Sequence, residues 1–315
     1  MKKRALGSSG IKIAPLAFGG NVFGWTVNES GSFALLDAFV GAGCNLIDTA
    51  DVYSKWVSGN AGGESETIIG NWLKKSGKRD QVVIVTKVGL EMGPSQKGLT
   101  KAYITRAIED SLRRLQTDYV DLYLSHTDDA NTPFEETLAA FAQLIEQGKV
   151  RAIGASNYTA ARLAQALRVG KESGLPRYQV LEPLYNLYDR QDYEKELEPL
   201  CRKEGLGVIT YSSLASGFLT AKYGTGENFS TSPRFGFVQK LMNERGQRIV
   251  ETLRRLAQEK NTTPSRLALA WLISRSSVTA PIASATSLEQ LNDLLGATEL
   301  SLAQDTLDEL NRVSE

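Results

Sequence analysis

Residues 82–126, VVIVTKVGLEMGPSQKGLTKAYITRAIEDSLRRLQTDYVDLYLSH, contain the pattern of one complete strand–helix–strand unit. The run VVIV at 82–85 is short and apolar on both faces, which is typical of a strand buried in a parallel sheet. A second strand pattern follows at 120–126. Between the two, apolar side chains recur at helical spacing behind Thr100, a candidate helix N-cap. These side chains are Ile104, Ile108, Leu112 and Leu115. The segment therefore predicts two parallel strands joined by a helical crossover.

The same alternation of strand and helix patterns extends over nearly the whole chain. Strands are predicted at 15–19, 45–48, 82–87, 120–126, 150–156, 178–182, 207–211 and 278–283. Helices are predicted around 35–40 and 104–115, and at 64–75, 134–146, 160–171, 194–203, 245–259 and 288–295. Eight such units favour a closed (β/α)8 TIM barrel, an α/β fold, over an open doubly wound sheet.

Segments outside this alternation complete the predicted architecture. Glycine and serine at 7–10, between two short strand patterns, predict an N-terminal β-hairpin. The pattern at 302–313 predicts an extra C-terminal helix, and the polar, glycine-rich segment 223–237 predicts a long loop. No G-x-G-x-x-G follows the first strand, so a Rossmann domain lacks its fingerprint. We expect residues 1–315 to form a single barrel domain.

Composition excludes several classes of function. The 315 residues include 36 Lys+Arg and 36 Asp+Glu, so the formal net charge is zero and nucleic acid is not expected as a partner. No apolar run approaches the ~20 residues of a membrane span, and no apolar segment follows the basic residues at the start. One histidine and two distant cysteines argue against a zinc site and a disulfide framework. We therefore expect no metal, no membrane association and a cytoplasmic protein.

Four ionisable side chains lie at or just after the ends of successive predicted strands, where β/α barrels place their chemistry. Asp48 and Tyr53 follow the second strand, Lys87 ends the third and His126 ends the fourth. An ammonium beside a tyrosine hydroxyl stabilises the phenolate and lowers its pKa from about 10, and a carboxylate holds the lysine. Such a tyrosine can donate a proton to a carbonyl oxygen, which a neutral imidazole can orient.

Each of these residues also has a purely structural explanation. Asp48 can cap a helix or form an ion pair, Tyr53 can pack against the core, and His126 can be a hydrogen-bonded core residue. Lys87 is harder to explain in this way, because a lysine that closes an apolar strand needs a buried partner. Their coincidence at three neighbouring strand ends favours a shared site.

Motifs along the chain resemble the aldo-keto reductase superfamily, and in particular its bacterial members and the branch of potassium-channel β subunits. The resemblance is carried first by NLIDTADVY at 45–53, VTK at 85–87 and DLYLSH at 121–126. It continues with GKVRAIGASN at 148–157, Gln179 followed by Tyr185-Asn186, and YSSLASGFLT at 211–220. The motifs follow the family's order over nearly the whole chain.

The resemblance implies a catalytic tetrad of Asp48, Tyr53, Lys87 and His126. Tyr53 would be the proton donor, tuned by Lys87 and Asp48, while His126 positions the carbonyl. The implied reaction is hydride transfer from a reduced nicotinamide to an aldehyde or ketone, or its reverse, on a small carbonyl or alcohol substrate. The sequence contains no feature that sets the oligomeric state.

The resemblance also implies a set of cofactor contacts. Ser156, Asn157 and Gln179 would bind the carboxamide, and Tyr211 would stack on the nicotinamide ring. Other implied contacts are Gly20, Asn21, Asp48, Ser212, Leu214, Ser216, Gly217, Leu219, Ser284, Thr286, Gln290 and Asp293. Lys222 and Arg234 match phosphate contacts, although both can also be solvated surface charges. NADP(H) is therefore favoured, and NAD(H) stays open because residues 284–294 contain no lysine or arginine.

A substrate pocket is expected from the loops. Its predicted walls are Phe23, Trp25, Trp56, Thr127, Asp128 and residues 229–237, which suit apolar or sugar-like carbonyl compounds if they do not simply pack. Two other functions stay open. One is a cofactor sensor or regulatory subunit with little or no catalysis, and the other is a Schiff-base aldolase that uses Lys87.

Overall fold

The computed structural model describes residues 2–223 and 235–315 of the chain. A short antiparallel hairpin comes first, formed by β1 (Arg4–Ala5) and β2 (Lys12–Ile13). Eight parallel strands then close a barrel in chain order. They are β3 (Ala17–Gly19), β4 (Leu46–Asp48), β5 (Val83–Val88), β6 (Val120–Ser125), β7 (Val150–Ser156), β8 (Val180–Glu182), β9 (Gly207–Thr210) and β10 (Ala280–Ala283). The predicted TIM barrel with an N-terminal hairpin is confirmed.

Helices surround this barrel. They are α1 (Glu29–Gly41), α2 (Glu64–Ser76), α3 (Lys101–Leu115), α4 (Phe134–Glu146), α5 (Ala160–Glu172), α6 (Glu198–Glu204), α7 (Phe235–Gln239), α8 (Glu244–Glu259), α9 (Pro264–Ser274), α10 (Leu288–Gly296) and α11 (Gln304–Val313). The last of these is the predicted extra C-terminal helix. Within the two described ranges, no helix has both the length and the apolar character that a membrane span requires.

The helices depart from the prediction at three places. Helix α9 is not predicted, because its sequence PSRLALAWLIS is apolar on most faces and lacks an amphipathic period. The predicted helix 194–203 begins as a π-helical turn, Tyr193–Leu197, before α6. Helix α7 lies at the end of the predicted loop 223–237, of which residues 224–234 lie outside the described part of the chain.

The strands alternate their side chains between the barrel interior and the helical layer. In β5, Val83 and Val85 join the interior cluster, whereas Ile84 packs with the residues of the outer layer. The same alternation places Val180 of β8 inside and Leu181 outside. Successive strand residues point to opposite faces of the sheet. The inward-pointing residue that follows Val85 in β5, and the one that follows Val180 in β8, therefore lie at the carboxyl end of the barrel.

The N-terminal hairpin closes the amino end of the barrel. Leu6 and Ile13 are fully buried in the interior cluster. Gly7 between them has φ +57°, and a Cβ built on it would lie 2.3 Å from the backbone nitrogen of Gly207. Only glycine tolerates such a close approach of the two backbones. Because the hairpin covers the amino end, the carboxyl end of the barrel is the one that remains open for a site.

Replacement of Gly7 tests this closure. Gly7→Ala should lower the free energy of unfolding by roughly 1 kcal/mol for the left-handed φ, with about 1–3 kcal/mol more for the clash with β9. Gly10→Ala is the matched control, because Gly10 also has a positive φ but no atom within 4 Å of its built Cβ. Urea unfolding of both variants measures the difference, and equal losses would contradict the role given to the hairpin.

Candidate active site

Asp48, Tyr53 and Lys87 meet at the carboxyl end of the barrel. Lys87 is the fifth residue of β5 and is 0% exposed. Its Nζ donates to Asp48 Oδ1 at 2.6 Å, to Tyr53 Oη at 2.8 Å and to the Thr49 carbonyl at 3.1 Å. The Tyr53 hydroxyl in turn donates to Asp48 Oδ2 at 3.2 Å. The structure therefore brings these three predicted residues together in one hydrogen-bonded group.

His126 lies beside this group. Its ring centroid is 6.0 Å from that of Tyr53, at an edge-on angle of 72°. Burial and then the charge of Lys87 lower the pKa of His126 well below its usual range, so the imidazole is neutral at neutral pH. Its Nδ1 is buried and has no hydrogen-bond partner among the described residues.

The ionisation of Tyr53 differs from the sequence prediction. Burial and then the charge of Asp48 raise the pKa of Tyr53, and the opposing effect of Lys87 does not cancel them. The prediction that the Tyr53 pKa lies below its usual value is wrong, because the sequence did not reveal how strongly the surrounding residues exclude water from the hydroxyl. Burial by itself would lower the pKa of Lys87. The negative charges of Asp48 and then of Glu182 outweigh this effect and raise the Lys87 pKa above its usual value. At neutral pH the group therefore contains a phenol and an ammonium.

Glu182, to which the sequence analysis assigns no role, is the fourth member of the buried group. Its Oε1 lies 3.3 Å from Lys87 Nζ. The resemblance implies instead a contact from Gln179, but the Gln179 side chain donates to the Ser8 carbonyl at 3.1 Å, in the N-terminal hairpin. That prediction is wrong, because Gln179 precedes β8 at the amino end of the barrel. The two-residue alternation from Val180 to Glu182 is the signal that could have identified Glu182.

Three predicted carboxamide and ring contacts lie together on the neighbouring strand ends. The Tyr211 hydroxyl donates to Asn157 Oδ1 at 2.8 Å, and Asn157 Nδ2 donates to the His126 carbonyl at 2.8 Å. Ser156 Oγ donates to the Glu182 carbonyl at 2.9 Å. These contacts link the ends of β6, β7, β8 and the segment after β9 around one opening.

The loop after β9 has a backbone suited to an anion. Ser212, Ala215, Ser216 and Gly217 all have left-handed φ values of 54°, 48°, 57° and 92°. Such conformations turn backbone N–H groups into a concave nest, and they persist in non-glycine residues mainly at functional sites. Lys222 is exposed and lies next to Gly217, where a built Cβ would meet its Nζ at 3.4 Å. The amides of Ala215 and Gly217 donate to the Ser212 and Leu214 carbonyls, so the phosphates of a dinucleotide would meet the other N–H groups of the loop and Lys222.

A family model described as the aldo/keto reductase family matches residues 15–315. The chain belongs to the aldo/keto reductase family. It is 34% identical to a probable voltage-gated potassium channel subunit beta of Oryza sativa subsp. japonica, over 99% of this chain and 96% of the rice protein. It is 33% identical to the uncharacterized oxidoreductase YrpG of Bacillus subtilis (strain 168), with 99% and 96% coverage. It is 31% identical to protein tas of Escherichia coli (strain K12), with 100% and 98% coverage.

Membership in this family supports a nicotinamide-dependent oxidoreductase in general terms. The described residues fit such a cofactor in two respects. Tyr211 and Asn157 lie beside the buried polar group at the barrel mouth, and the left-handed loop with Lys222 follows a few residues further along the chain. The nicotinamide end would therefore face Tyr53 and His126.

Residues predicted to contact the cofactor near its adenosine, Ser284, Thr286 and Gln290, form hydrogen bonds within the protein. Ser284 Oγ lies 2.7 Å from both the Gly19 carbonyl oxygen and Asn21 Oδ1, next to Gly20, and can donate its one proton to either. Thr286 donates through its amide and its hydroxyl to Gln290 Oε1 at 2.9 and 3.0 Å.

Asp293, the predicted adenine contact, already has partners. Its Oδ1 pairs with Arg266 Nε at 3.0 Å and accepts from Thr263 Oγ1 at 2.8 Å. Arg266 belongs to the unpredicted helix α9, so the sequence analysis missed a basic side chain beside the segment 284–294.

Several other predicted contacts are placed differently. The side chain of Leu219 is fully buried in the hydrophobic core, and that of Leu214 packs against the same core. A cofactor could therefore contact these two residues only through their backbone atoms. Arg234 lies outside the described residues. Phe23 is not a pocket wall, because it is fully buried and stacks on Phe18 at 5.3 Å.

Trp25, Trp56 and Tyr53 form an aromatic cluster next to the buried group. Trp56 lies edge-on to both, with centroids 5.6 Å from Trp25 and 6.1 Å from Tyr53. It is 50% exposed, which leaves a large apolar surface beside the proposed site. Thr127 is half-buried, and the adjacent Asp128 is held by two hydrogen bonds from Arg162 at 2.6 and 2.9 Å. Residues 229–234 lie outside the described chain, and Phe237 is exposed on α7.

Removal of the buried ammonium should make folding depend on pH. In Lys87→Met, Asp48 and Glu182 lose the charge that stabilises their anions, so both pKa values rise further above those of the unfolded chain. The folded state then binds more protons than the unfolded chain. The free energy of unfolding therefore falls as the pH rises above about 4, and the slope is about 1.4 kcal/mol per pH unit for each extra proton that the folded state holds. Thermal unfolding from pH 5 to 8 measures this slope.

Lys149→Met is the control for this prediction, because Lys149 pairs with Glu109 on the protein surface. It should leave the pH dependence of the wild type unchanged. A Lys87→Met protein whose stability does not fall with pH would contradict the charge balance described for the buried group.

Proposed function

We propose that this protein is an NAD(P)H-dependent oxidoreductase that reduces aldehydes or ketones to alcohols, or catalyses the reverse reaction. One observation carries the proposal. The hydroxyl of a half-buried tyrosine is hydrogen-bonded to a lysine ammonium at 2.8 Å and to an aspartate at 3.2 Å, next to a neutral histidine at the open end of the barrel. This group can donate and accept a proton at one fixed point.

Each residue has a definite task in this proposal. The nicotinamide supplies the hydride when it is bound. Tyr53 Oη moves the proton to or from the substrate oxygen, and its raised pKa keeps it protonated for reduction at neutral pH. Lys87 stabilises the phenolate that remains, and Asp48 holds Lys87 in place. The neutral His126 orients the carbonyl through a hydrogen bond.

Tyr53→Phe tests the role of the hydroxyl. The variant keeps the ring, so its affinity for NADPH and NADH, followed by nicotinamide fluorescence, should be unchanged. Turnover of a test aldehyde should fall by roughly 10²–10⁴-fold, the usual contribution of general acid catalysis. Tyr119→Phe is the control, because the Tyr119 ring lies between Arg79 and Arg151, away from the barrel mouth. Wild-type turnover in Tyr53→Phe would overturn the assignment.

We propose NADP(H) as the favoured cofactor and NAD(H) as the alternative. Lys222, beside the left-handed loop, supports the binding of an additional phosphate. Lys222→Ala should weaken NADPH binding more than NADH binding, and the difference should shrink at high salt because the contact is exposed. Lys203→Ala, an exposed lysine on α6, is the control. Equal losses for both cofactors would place the extra phosphate elsewhere or favour NAD(H).

A regulatory role is the second candidate. It is favoured by the similarity to the rice relative and to a 32% identical relative from Arabidopsis thaliana, each a probable voltage-gated potassium channel subunit beta. A protein that binds the cofactor with high affinity but turns over no aldehyde, ketone or alcohol would support this candidate.

The geometry argues against a Schiff-base aldolase. Such an enzyme needs a neutral, accessible lysine amine, whereas Lys87 is fully buried, donates three hydrogen bonds and has a raised pKa. Borohydride should therefore trap no substrate on Lys87.

A further inference from the structure

We propose that Glu182 carries a proton in the folded protein and that its charge state sets the acidity of Tyr53. In this proposal Glu182 is a positioning residue that lies beside Lys87 and Asp48 and acts on Tyr53 through its charge. Its effect on turnover rests on the function proposed above, whereas its protonation does not.

The hydrogen bonds around Lys87 leave none for Glu182. An ammonium has three protons, and those of Lys87 are directed at Asp48, Thr49 and Tyr53 at 2.6–3.1 Å. Glu182 Oε1 is further away, at 3.3 Å, and the side chain is 2% exposed. Its Oε2 is buried and has no donor among the described residues. An ionised carboxylate in this position would be poorly compensated.

The charges that face Glu182 come from several elements. Asp48 lies on β4, Lys87 on β5, Tyr53 on the loop after β4, and Tyr211 after β9, while the neutral His126 lies next to Tyr53. Among these groups Lys87 alone is positive. Two ionised carboxylates would therefore leave the buried group with a net charge of −1, and one proton makes it neutral.

The surroundings of the two carboxyls decide which one holds this proton. Asp48 accepts hydrogen bonds from both Lys87 and Tyr53, which stabilise its anion. Glu182 Oε2 has no such donor among the described residues, and Lys87 Nζ lies further from Glu182 Oε1, at 3.3 Å, than from Asp48 Oδ1, at 2.6 Å. Burial and then the charge of Asp48 raise the pKa of Glu182 well above its usual range. The proton therefore resides on Glu182.

The charge state of Glu182 affects Tyr53 directly. An ionised Glu182 raises the pKa of Tyr53, because it repels the phenolate that forms when the proton leaves. A protonated Glu182 removes this repulsion. Reduction requires Tyr53 to give up its proton, so reduction should slow when the pH rises through the pKa of Glu182. A glutamine has the shape of the protonated acid and cannot ionise.

The first experiment measures protonation without cofactor or substrate. The infrared difference spectrum between wild type and Glu182→Gln should show the C=O stretch of a protonated carboxylic acid at neutral pH, lost in the variant. The difference cancels the signal of Asp51, whose buried carboxyl also has a raised pKa. Glu198→Gln is the control, because Glu198 pairs with Arg202 and Arg275 and should contribute no such band.

Glu182→Met removes the acid without leaving a buried polar atom, and it should show the same spectral loss if Glu182→Gln fails to fold. No band difference between either variant and wild type would show that Glu182 is ionised and would overturn the proposal, whatever the turnover.

The second experiment measures the acidity of Tyr53. Tyrosinate absorbance of wild type and of Glu182→Gln is titrated against pH, each corrected with the matching protein that also carries Tyr53→Phe. The Tyr53 pKa should be lower in Glu182→Gln than in wild type, and an unchanged pKa would overturn the positioning role.

In a turnover assay with a test aldehyde, the alkaline decline of kcat should shift to higher pH in Glu182→Gln. An unchanged profile in an active enzyme would also overturn the positioning role. Absence of turnover in both proteins would count against the proposed function alone, because the infrared and absorbance results decide the proposal about Glu182 independently.

Discussion

The buried ammonium of Lys87 is the constraint on which the site depends. A charge at 0% exposure is tolerated only with partners, and the carboxylate, phenol and carbonyl that surround it come from β4 and the residues that follow it. Their positions are fixed by the register of β4 and β5, in which Asp48 lies opposite Val85. A slip of one residue would turn Lys87 outward and leave Asp48 buried without its cation. The requirement for charge compensation therefore fixes strand pairing as well as chemistry.

The two ends of the barrel have separate tasks. At the amino end, the hairpin inserts Leu6 and Ile13 into the interior and leaves no room for a Cβ at Gly7. At the carboxyl end, polar side chains replace this apolar filling. Strand β8 shows how short the distance between the two environments is, since Gln179 bonds to the hairpin while Glu182, three residues later, lies beside Lys87. Position along a strand thus decides whether a polar residue supports the fold or the site.

The proposed cofactor path depends on loop backbone more than on charged side chains. The backbone after β9 curves at the left-handed residues 212 and 215–217, where the amides of Ala215 and Gly217 donate within the loop, and Lys222 lies beside Gly217. At the other end, α9 brings Arg266 to Asp293. A neutral chain can bind an anionic dinucleotide in this way, because the interaction is local and does not need a basic protein surface.

The sequence by itself determined the barrel and three of its key positions. Short apolar strands alternate with period-3.6 helices in eight units, a pattern that favours a closed parallel barrel over an open sheet, and Asp48, Lys87 and His126 fall at strand ends, where such barrels place their chemistry. Side-chain alternation is a local property, so it can be read without knowing the neighbours. Helix α9 could not be predicted, because a helix buried on most faces loses its amphipathic period.

Only the tertiary structure decided the environment of these residues. The raised pKa of Tyr53, the approach of Glu182 to Lys87, the burial of Phe23 and the Arg266–Asp293 pair all depend on how much water is excluded and which distant segments meet. Desolvation and charge–charge interactions depend on residues that are remote in sequence, such as Asp48 and Glu182, or Arg266 and Asp293. A local sequence pattern does not contain this information, because the closed barrel fixes which residues meet and how far apart they lie.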